Sequence, residues 1–171
     1  MKLPRLSQTF AIADTASGVA IKVFSRLWDQ ICSAIEALSD ELKPAFSAYA
    51  NVSQPVTSSV LTKVTLGTVN FDTNANFASS RFTATRAGYY QIDGALRPTD
   101  TVAVTVFLLS IFKNGLEYRR VTDTATISDV IFLDVGEYVE LYGFIAGTSP
   151  SFDFASAAVT SAMSGCFLRA A

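Results

Sequence analysis

The sequence predicts a mainly β protein, a sandwich of about ten short strands preceded by one long helix. Two observations indicate this class. From Ala45 to the end of the chain, apolar residues recur mostly at every second position, and turn residues separate the runs at regular spacing, as in a β-sandwich. From Ile21 to Leu42, large apolar residues instead recur at steps of three and four, which indicates an amphipathic helix.

The chain before the sandwich divides into an arm and a helix. The arm contains Pro4 and sustains no apolar period, so we expect it to be extended. The helix should run from about Val19 to Leu42, because Pro44 cannot continue it. The predicted segments are an anchoring arm at residues 1–17, a helical stalk at 18–43 and a β-knob at 44–171.

The helix carries a coiled-coil seam. The seven large apolar residues that form it are Ile21, Phe24, Trp28, Ile31, Ile35, Leu38 and Leu42. β-Branched residues at both seam positions favour three strands over two, so we expect a homotrimer. Burying seven such side chains contributes roughly 10–20 kcal/mol, whereas ordering the backbone costs roughly 20–40 kcal/mol. The stalk therefore depends on a trimeric knob to hold it together. The alternative is a helix lying on its own sandwich.

The strands follow in order from Ala45. Phe46, Ala48, Ala50 and Val52 alternate with other residues in the first of them. The segments predicted to contain the later strands are SSVLTKVTL, TVNF, NFASSRFTAT, GYYQIDGALR, VAVTVFLLSIFKNGLEYRRV, ISDVIFLDVGEYVELYGFIAG and SAAVTSAMSGCFLRAA. Within the fifth, Asn114-Gly115 predicts a two-residue hairpin turn, because both positions need positive φ.

Composition excludes several functions. The net charge is −2 and no basic stripe is present, so nucleic acid is not an expected partner. The longest apolar run, Val102 to Phe112, is too short for membrane insertion. The first residues lack the apolar core of a signal peptide, so we expect synthesis in the cytoplasm without export by that route. The two cysteines, Cys32 and Cys166, are interpreted as free thiols.

No catalytic residue is predicted. The chain contains no histidine, which excludes a Ser-His-Asp triad, a Cys-His pair and nearly every zinc site. A glycosidase needs two converging carboxylates, and Asp123, Asp129 and Asp153 are the candidates. Isolated acids on sandwich loops are usually solvated turn residues, so we expect a protein that is not an enzyme.

The β-part resembles the globular head of complement C1q, a member of the tumour-necrosis-factor-like jelly rolls. The resemblance covers residues 45–171. The motifs that carry it, in order, are Phe46-Ser47-Ala48, Val69-Asn70-Phe71-Asp72, Arg81-Phe82-Thr83, Gly88-Tyr89-Tyr90, Phe112-Lys113-Asn114-Gly115, Leu133-Asp134-Val135-Gly136-Glu137-Tyr138-Val139 and Ser164-Gly165-Cys166-Phe167-Leu168. It implies a ten-stranded jelly roll in a compact trimer, often placed on a trimeric stalk.

Some C1q-like heads bind calcium, which raises the question of a metal site here. Asp72, Asn74, Asp93 and Asp100 are the oxygen-bearing candidates, but they show no recognisable loop spacing. No metal site and no cofactor are therefore assigned, and calcium remains an open expectation.

The N-terminal part is similar to the start of small fibre or tail proteins of tailed bacteriophages and related gene transfer particles. The similar segment is LPRLSQTFAIADTASGVAIKVFSRLWDQICSAIEAL, in which an arm with a Leu-Pro pair precedes a helix carrying Phe and Trp. The resemblance implies that residues 1–17 dock on other virion proteins. Leu3, Pro4, Arg5 and Leu6 are the candidate anchoring residues.

Strand direction and the family's strand order locate the contact surface. Counting antiparallel strands places the Asn114-Gly115 and Val135-Gly136 turns at the stalk end, and the loops 97–101, 121–127 and 147–156 at the far end. Aromatic rings stack on sugars, and Asp, Ser and Thr bind hydroxyls. The candidate receptor or glycan contacts are Asp100, Thr101, Asp123, Thr124, Ser151, Phe152, Asp153 and Phe154. For Phe152 and Phe154 the alternative is that they anchor the loop to the core.

The sequence therefore predicts a virion fibre or spike whose trimeric knob attaches to a host surface. Two alternatives remain open. The knob can serve as a purely structural decoration or tail-tip component that binds no receptor, or the chain can be a cellular C1q-like ligand protein.

Overall fold

The computed structural model describes residues 25–35, 43–99, 104–153 and 161–171. It contains two compact units, Met1–Lys43 and Pro44–Ala171. In the first unit, residues 25–35 form a helix, α1. The helix predicted from the sequence, Val19 to Leu42, is longer than α1, and its other residues lie outside the described ranges.

The second unit contains only strands, turns and loops in its described residues. The fourteen strands are β1 Ala45–Tyr49, β2 Gln54–Pro55, β3 Thr62–Lys63, β4 Thr68–Asp72, β5 Phe77–Ala78, β6 Arg81–Thr83, β7 Gly88–Ala95, β8 Pro98–Thr99, β9 Val106–Lys113, β10 Leu116–Thr122, β11 Thr126–Leu133, β12 Tyr138–Ala146, β13 Ser151–Phe152 and β14 Ala162–Arg169. The count exceeds the expected ten because it includes several strands of two or three residues, which are too short to show a period of two.

The strands form two large sheets and one small sheet, and their pairings are antiparallel. A five-stranded sheet has the order β11-β7-β14-β1-β4. A six-stranded sheet has the order β10-β9-β12-β6-β5, and its sixth strand, β3, pairs with β12. The small sheet has the order β2-β13-β8. Two antiparallel sheets packed face to face with these crossovers form a jelly-roll sandwich, which confirms the predicted fold class.

The core lies between the two large sheets, and its residues come from alternate positions of the strands. Phe46 on β1 is fully buried and stacks on Phe82 of β6 with 4.5 Å between ring centroids. Tyr90 and Ile92 on β7 are also fully buried. Each such side chain contributes about 1.5–3 kcal/mol through burial, so the alternation seen in the sequence specifies the sandwich.

The register defines two ends of the sandwich. Gly88 pairs with Leu133 near the point where the chain enters β1, and we name this side the entry end. Ala95 pairs with Thr126 at the opposite side, which we name the far end. The turns at 114–115 and 135–136 lie at the entry end, and the described parts of the loops at 97–101, 121–127 and 147–156 lie at the far end. The predicted division of these turns and loops between the two ends of the sandwich is confirmed.

The Asn114-Gly115 hairpin has the predicted geometry. Asn114 has a φ of 51° and Gly115 a φ of 77°, as a two-residue turn between antiparallel strands requires. The Asn114 amide donates to the carbonyl of Tyr138 at 3.0 Å, and the Tyr138 amide donates to Asn114 Oδ1 at 3.0 Å. The hairpin tip is therefore fastened to the start of β12.

One buried carboxylate lies on the outer side of the six-stranded sheet. The side chain of Glu140 is 3% exposed, and its Oε1 accepts hydrogen bonds from Lys63 Nζ at 2.7 Å and Arg81 Nε at 2.8 Å. Burial alone would raise the pKa of Glu140, but these two charged donors outweigh it and hold the pKa below its ordinary value. The carboxylate therefore ties β3 and β6 to β12.

Candidate functional site

The outer face of the five-stranded sheet carries exposed and half-buried apolar side chains toward the entry end. The apolar half-face comprises Tyr89, Val130, Phe132, Cys166 and Leu168. Val130 and Leu168 are each 45% exposed, and the rings of Tyr89 and Phe132 meet edge to face at 5.5 Å. A group of large apolar side chains on one sheet face is typical of a surface that packs against another chain.

The period of two explains why these side chains point outward. Tyr89 and Tyr90 are adjacent on β7 and face opposite sides, because successive side chains alternate along a strand. Tyr90 is fully buried and its hydroxyl donates to the carbonyl of Arg86 at 2.6 Å, and burial raises the pKa of its phenol. Tyr89 remains on the outer face, where the guanidinium of Arg169 lies 4.7 Å from its ring centroid. A cation over the ring keeps its orientation fixed.

The same face is polar toward the far end. Ser128 Oγ donates to Asp93 Oδ1 at 2.6 Å, and Gln91 Nε2 donates to the same oxygen at 3.0 Å and to Ser128 Oγ at 2.8 Å. An open groove of about 310 Å³ lies here, with Ser164 also on its lining. The outer face therefore changes from apolar to polar along the length of β7.

Two of the candidate contact residues lie in the turn between β10 and β11 at the far end. Asp123 has a φ of 54°, its amide donates to the carbonyl of Phe107 at 2.9 Å, and its Oδ1 accepts from the Phe107 amide at 3.4 Å. Thr124 Oγ1 donates to the carbonyl of Thr122 at 3.1 Å. Both residues are exposed, so their remaining hydrogen-bonding capacity faces solvent.

A second group of candidates follows β12 at the same end. Asp153 Oδ1 accepts from Ser53 Oγ at 3.1 Å, and its Oδ2 lies 3.6 Å from Arg97 Nε. The Asp153 amide donates to the carbonyl of Arg97 at 2.9 Å, and Ser161 Oγ donates to the carbonyl of Asp153 at 2.9 Å. The acid is therefore held in a fixed position beside Arg97, whose side chain is 58% exposed. Arg97 was missed as an individual contact candidate, although it begins one of the loops that the sequence placed at this end.

Phe152 is not an accessible contact residue. It is 2% exposed and belongs to the core, because β13 pairs with β2 and β8 and directs the ring inward. The ring lies against Gly143, where an added Cβ would lie 2.6 Å from Phe152 Cζ. Its interpretation as a receptor contact is therefore wrong, and the core-anchor alternative holds. Ser151, its neighbour in β13, is half-buried.

Several predicted site residues lie outside the described part of the chain. Among the contact candidates these are Asp100, Thr101 and Phe154; among the seam residues, Ile21, Phe24, Leu38 and Leu42; and all four anchoring residues, Leu3, Pro4, Arg5 and Leu6. The described contact candidates occupy one end of the sandwich but belong to separate loops.

The described stretch of the helix presents part of the predicted seam. Ile31 is 42% exposed and Ile35 is 48% exposed, while Trp28 is intermediate. Cys32, which is not one of the seam residues, is only 4% exposed. Ile35 lies four residues after Ile31, so the two side chains share one face of α1.

The described residues show no arrangement that suggests catalysis through a metal. Within them, no group of three or more His, Cys, Asp or Glu side chains could hold a metal ion. The part of the chain that the structure describes also contains no helix long and apolar enough to cross a membrane.

Comparisons with known proteins identify the fold. No family model matches the chain, and no curated protein sequence matches it. Among solved structures, the globular domain of zebrafish complement 1qA protein is 18% identical, with a TM-score of 0.50, and the match covers 75% of this chain and 99% of that one. Murine APRIL at pH 8.5 is 12% identical, with a TM-score of 0.54, and the match covers 74% and 99%.

These likenesses show that the fold is a jelly roll like those of the complement 1qA globular domain and murine APRIL. A second structure of murine APRIL, at pH 5.0, is 8% identical over the same shares of both chains and has a TM-score of 0.55. At such low identities the likeness concerns the fold of residues in the knob, and the resemblance noticed in the sequence is confirmed to that extent.

Proposed function

We propose that the chain is a homotrimeric binding protein, in which three knobs associate through the outer faces of their five-stranded sheets. One observation carries the proposal. The apolar half-face leaves Val130 and Leu168 each 45% exposed beside two aromatic rings. Covering such side chains with neighbouring subunits is favourable by about 25 cal/mol per Å² of apolar area. The exposed Ile31 and Ile35 of α1 support the same stoichiometry, because a three-stranded seam would cover them.

In this assembly the far-end loops point away from the entry of the chain and are the natural contact surface. Asp123, Thr124 and Asp153 supply oxygen acceptors and a hydroxyl there, and Arg97 supplies an exposed guanidinium. Groups of this kind bind hydroxyls and charged substituents of surface glycans by hydrogen bonds. A trimer presents three copies of each loop around one axis. Simultaneous binding of the three copies would raise the overall affinity well above that of a single weak contact.

The placement on a virion is part of the proposal and rests on the N-terminal resemblance. Residues 1–17 would dock on the particle and the knob would attach to the host surface. A cellular C1q-like ligand protein is the second candidate, favoured by the likeness to the zebrafish complement 1qA domain and murine APRIL. Antibody labelling of the producing cells and of particles purified from them distinguishes the two candidates. Label at a fibre position on the particles supports a virion protein, and label only on cells supports a cellular C1q-like ligand protein.

The subunit contact is tested by one substitution and a matched control. Val130→Asp places a carboxylate in the proposed interface, where burying an unpaired charge is costly. Light scattering of the full chain should then report a mass below three times 18.3 kDa at micromolar concentration. Val60→Asp, at a residue 47% exposed outside the apolar half-face, should leave the trimer intact. A trimer that survives Val130→Asp as well as it survives Val60→Asp contradicts the proposed interface.

Attachment is tested with the full chain on glycan arrays and whole host cells. The combined substitution Asp123→Ala, Thr124→Ala and Arg97→Ala should reduce binding at least about tenfold if the far end makes the contact. Asp134→Ala, in a turn at the entry end, is the control and should bind normally. Absence of binding by the unaltered trimer would instead favour a purely structural role in the particle.

A further inference from the structure

The buried carboxylate of Glu140 brings two cations together on the outer side of the six-stranded sheet. Lys63 Nζ and Arg81 Nε bond to the same oxygen, Glu140 Oε1, at 2.7 Å and 2.8 Å. The two cations are therefore neighbours. Their side chains are 31% and 42% exposed, while that of Glu140 is only 3% exposed. The group, which we name the Arg81–Lys63 cluster, thus presents its positive charges to solvent and keeps its carboxylate buried.

Arg81 is held in one orientation by two contacts. Its Nε donates to Glu140, and its guanidinium carbon lies 3.8 Å from the ring centroid of Tyr138, at the start of β12. A planar guanidinium that is paired through Nε and stacked on a ring has little rotational freedom left. Such preorganisation raises affinity, because less side-chain freedom is lost when a ligand binds.

The cluster keeps donors and charge for a ligand. Within the described part of the chain, the terminal Nη1 and Nη2 groups of Arg81 and two of the three N–H groups of Lys63 have no acceptor. Two cations and one carboxylate leave one uncompensated positive charge. A second acid on the same sheet face, Glu117, does not neutralise it, because Arg120 pairs with Glu117 through hydrogen bonds of 2.7 Å and 2.6 Å.

Aromatic side chains border the cluster. Tyr142 lies opposite Lys63 in the sheet, and its ring stacks on Phe112 with 4.1 Å between the centroids. Burial, together with the negative charge of Glu140, raises the pKa of Tyr142, so its phenol keeps its proton. A ligand on the cluster would meet aromatic carbon and a hydroxyl beside the two cations. Such surroundings suit a sugar ring better than a bare inorganic ion.

We propose that the Arg81–Lys63 cluster binds the carboxylate of an acidic sugar, with Arg81 Nη1 and Nη2 holding the two carboxylate oxygens and Lys63 Nζ supplying a second contact. The guanidinium fork matches a carboxylate in geometry. A single uncompensated positive charge suits a singly charged carboxylate better than a phosphate group, which carries nearly two negative charges at neutral pH.

The position of the cluster makes it independent of the other proposed contacts. It lies on the six-stranded sheet, so it remains accessible in a trimer joined through the five-stranded sheets. Its residues are also separate from the far-end loops. The inference therefore goes beyond the proposed attachment and does not depend on it.

The test is a calorimetric titration of the full chain with two acidic sugars and their uncharged counterparts. The pairs are sialyllactose with lactose, and trigalacturonate with its methyl ester. At least one acidic sugar should bind with a Kd on the order of 10⁻³ M, and its uncharged counterpart should bind at least about tenfold more weakly. Acetate and inorganic phosphate, titrated as bare anions, should also bind more weakly than that sugar.

Two substitutions test the assigned roles. Arg81→Lys keeps a cation beside Glu140 but removes the bidentate fork, so it should weaken binding at least about tenfold. Lys63→Gln keeps a donor for Glu140 but removes a charge, so it should weaken binding severalfold. The matched control is Arg119→Lys. Arg119 Nε also pairs with an acid, Asp129, at 2.6 Å, and its side chain is 56% exposed, but among the described residues no ring is stacked on it. This control should bind normally.

Several results would overturn the site. They are no binding of either acidic sugar by the unaltered chain, equal binding of the uncharged counterparts or of the bare anions, and undiminished binding by Arg81→Lys. The combined far-end variant Asp123→Ala, Thr124→Ala and Arg97→Ala should still bind the acidic sugar here. Loss of that binding, with Arg81→Lys unaffected, would move the contact to the far end. In a crystal structure with the sugar, its carboxylate oxygens should lie about 2.7–2.9 Å from Arg81 Nη1 and Nη2.

Discussion

Replacing Phe152 with alanine is expected to destabilise the knob strongly. The ring is 2% exposed and fills the space beside Gly143, so its removal leaves a cavity that the surrounding strands cannot close completely. Substitutions of buried phenylalanine by alanine cost about 3–5 kcal/mol. For a unit of this size, that loss corresponds to a fall of roughly 10–20 °C in melting temperature.

The matched control is Phe71→Ala, because Phe71 is the same residue type on β4 and is 51% exposed. Its loss should change the melting temperature by less than about 3 °C, as for most surface substitutions. Both variants are followed by circular dichroism at one protein concentration, since association contributes to stability. A melting temperature of Phe152→Ala within about 3 °C of the unaltered chain would refute the placement of the ring in the core.

Two further predictions concern the buried carboxylate and the stalk. Because its charged donors hold the pKa of Glu140 below the ordinary value near 4.5, the stability that it contributes is present at neutral pH and is lost as the pH falls through its folded-state pKa. Urea denaturation should therefore show a steeper acid loss below about pH 4.5 for the unaltered chain than for Glu140→Gln, and parallel curves would contradict this. Ile31→Asp combined with Ile35→Asp should abolish the helical signal of the stalk in circular dichroism, and an unchanged helical signal would show that the two isoleucines are not in a buried seam.

The alternation of apolar residues made the sandwich predictable. Tyr90 and Ile92 are buried on alternate positions of β7, and Asn114-Gly115 forms the expected hairpin turn. These features depend on local rules, either the period of two in a strand or the backbone preference of a turn. The ends at which the turns and loops lie also followed, from the reversal of antiparallel strands at each connection together with the strand order of the family that the sequence resembles.

The features that were missed depend on contacts between distant parts of the chain. The small sheet of β2, β13 and β8 contains strands of only two residues, which leave no pattern in the sequence. The burial of Phe152 requires Gly143 on β12, where the missing side chain makes room for the ring. The sequence showed an aromatic residue in a polar loop, and only the fold reveals which way it points.

The candidate site was predicted in part for the same reason. Asp123 and Asp153 lie at the expected end, because strand counting and the strand order of the resembled family together placed their loops. The fixed position of Asp153 beside Arg97 and Ser53 depends on loops far apart in the sequence.

Sedimentation equilibrium of the full chain at micromolar concentration tests the trimer most directly. The predicted result is a single species with three times the mass of one 18.3 kDa chain, because the apolar half-face of each knob requires a neighbour to cover it. A stable, well-behaved monomer over the whole concentration range would contradict the proposed assembly and the function that follows from it.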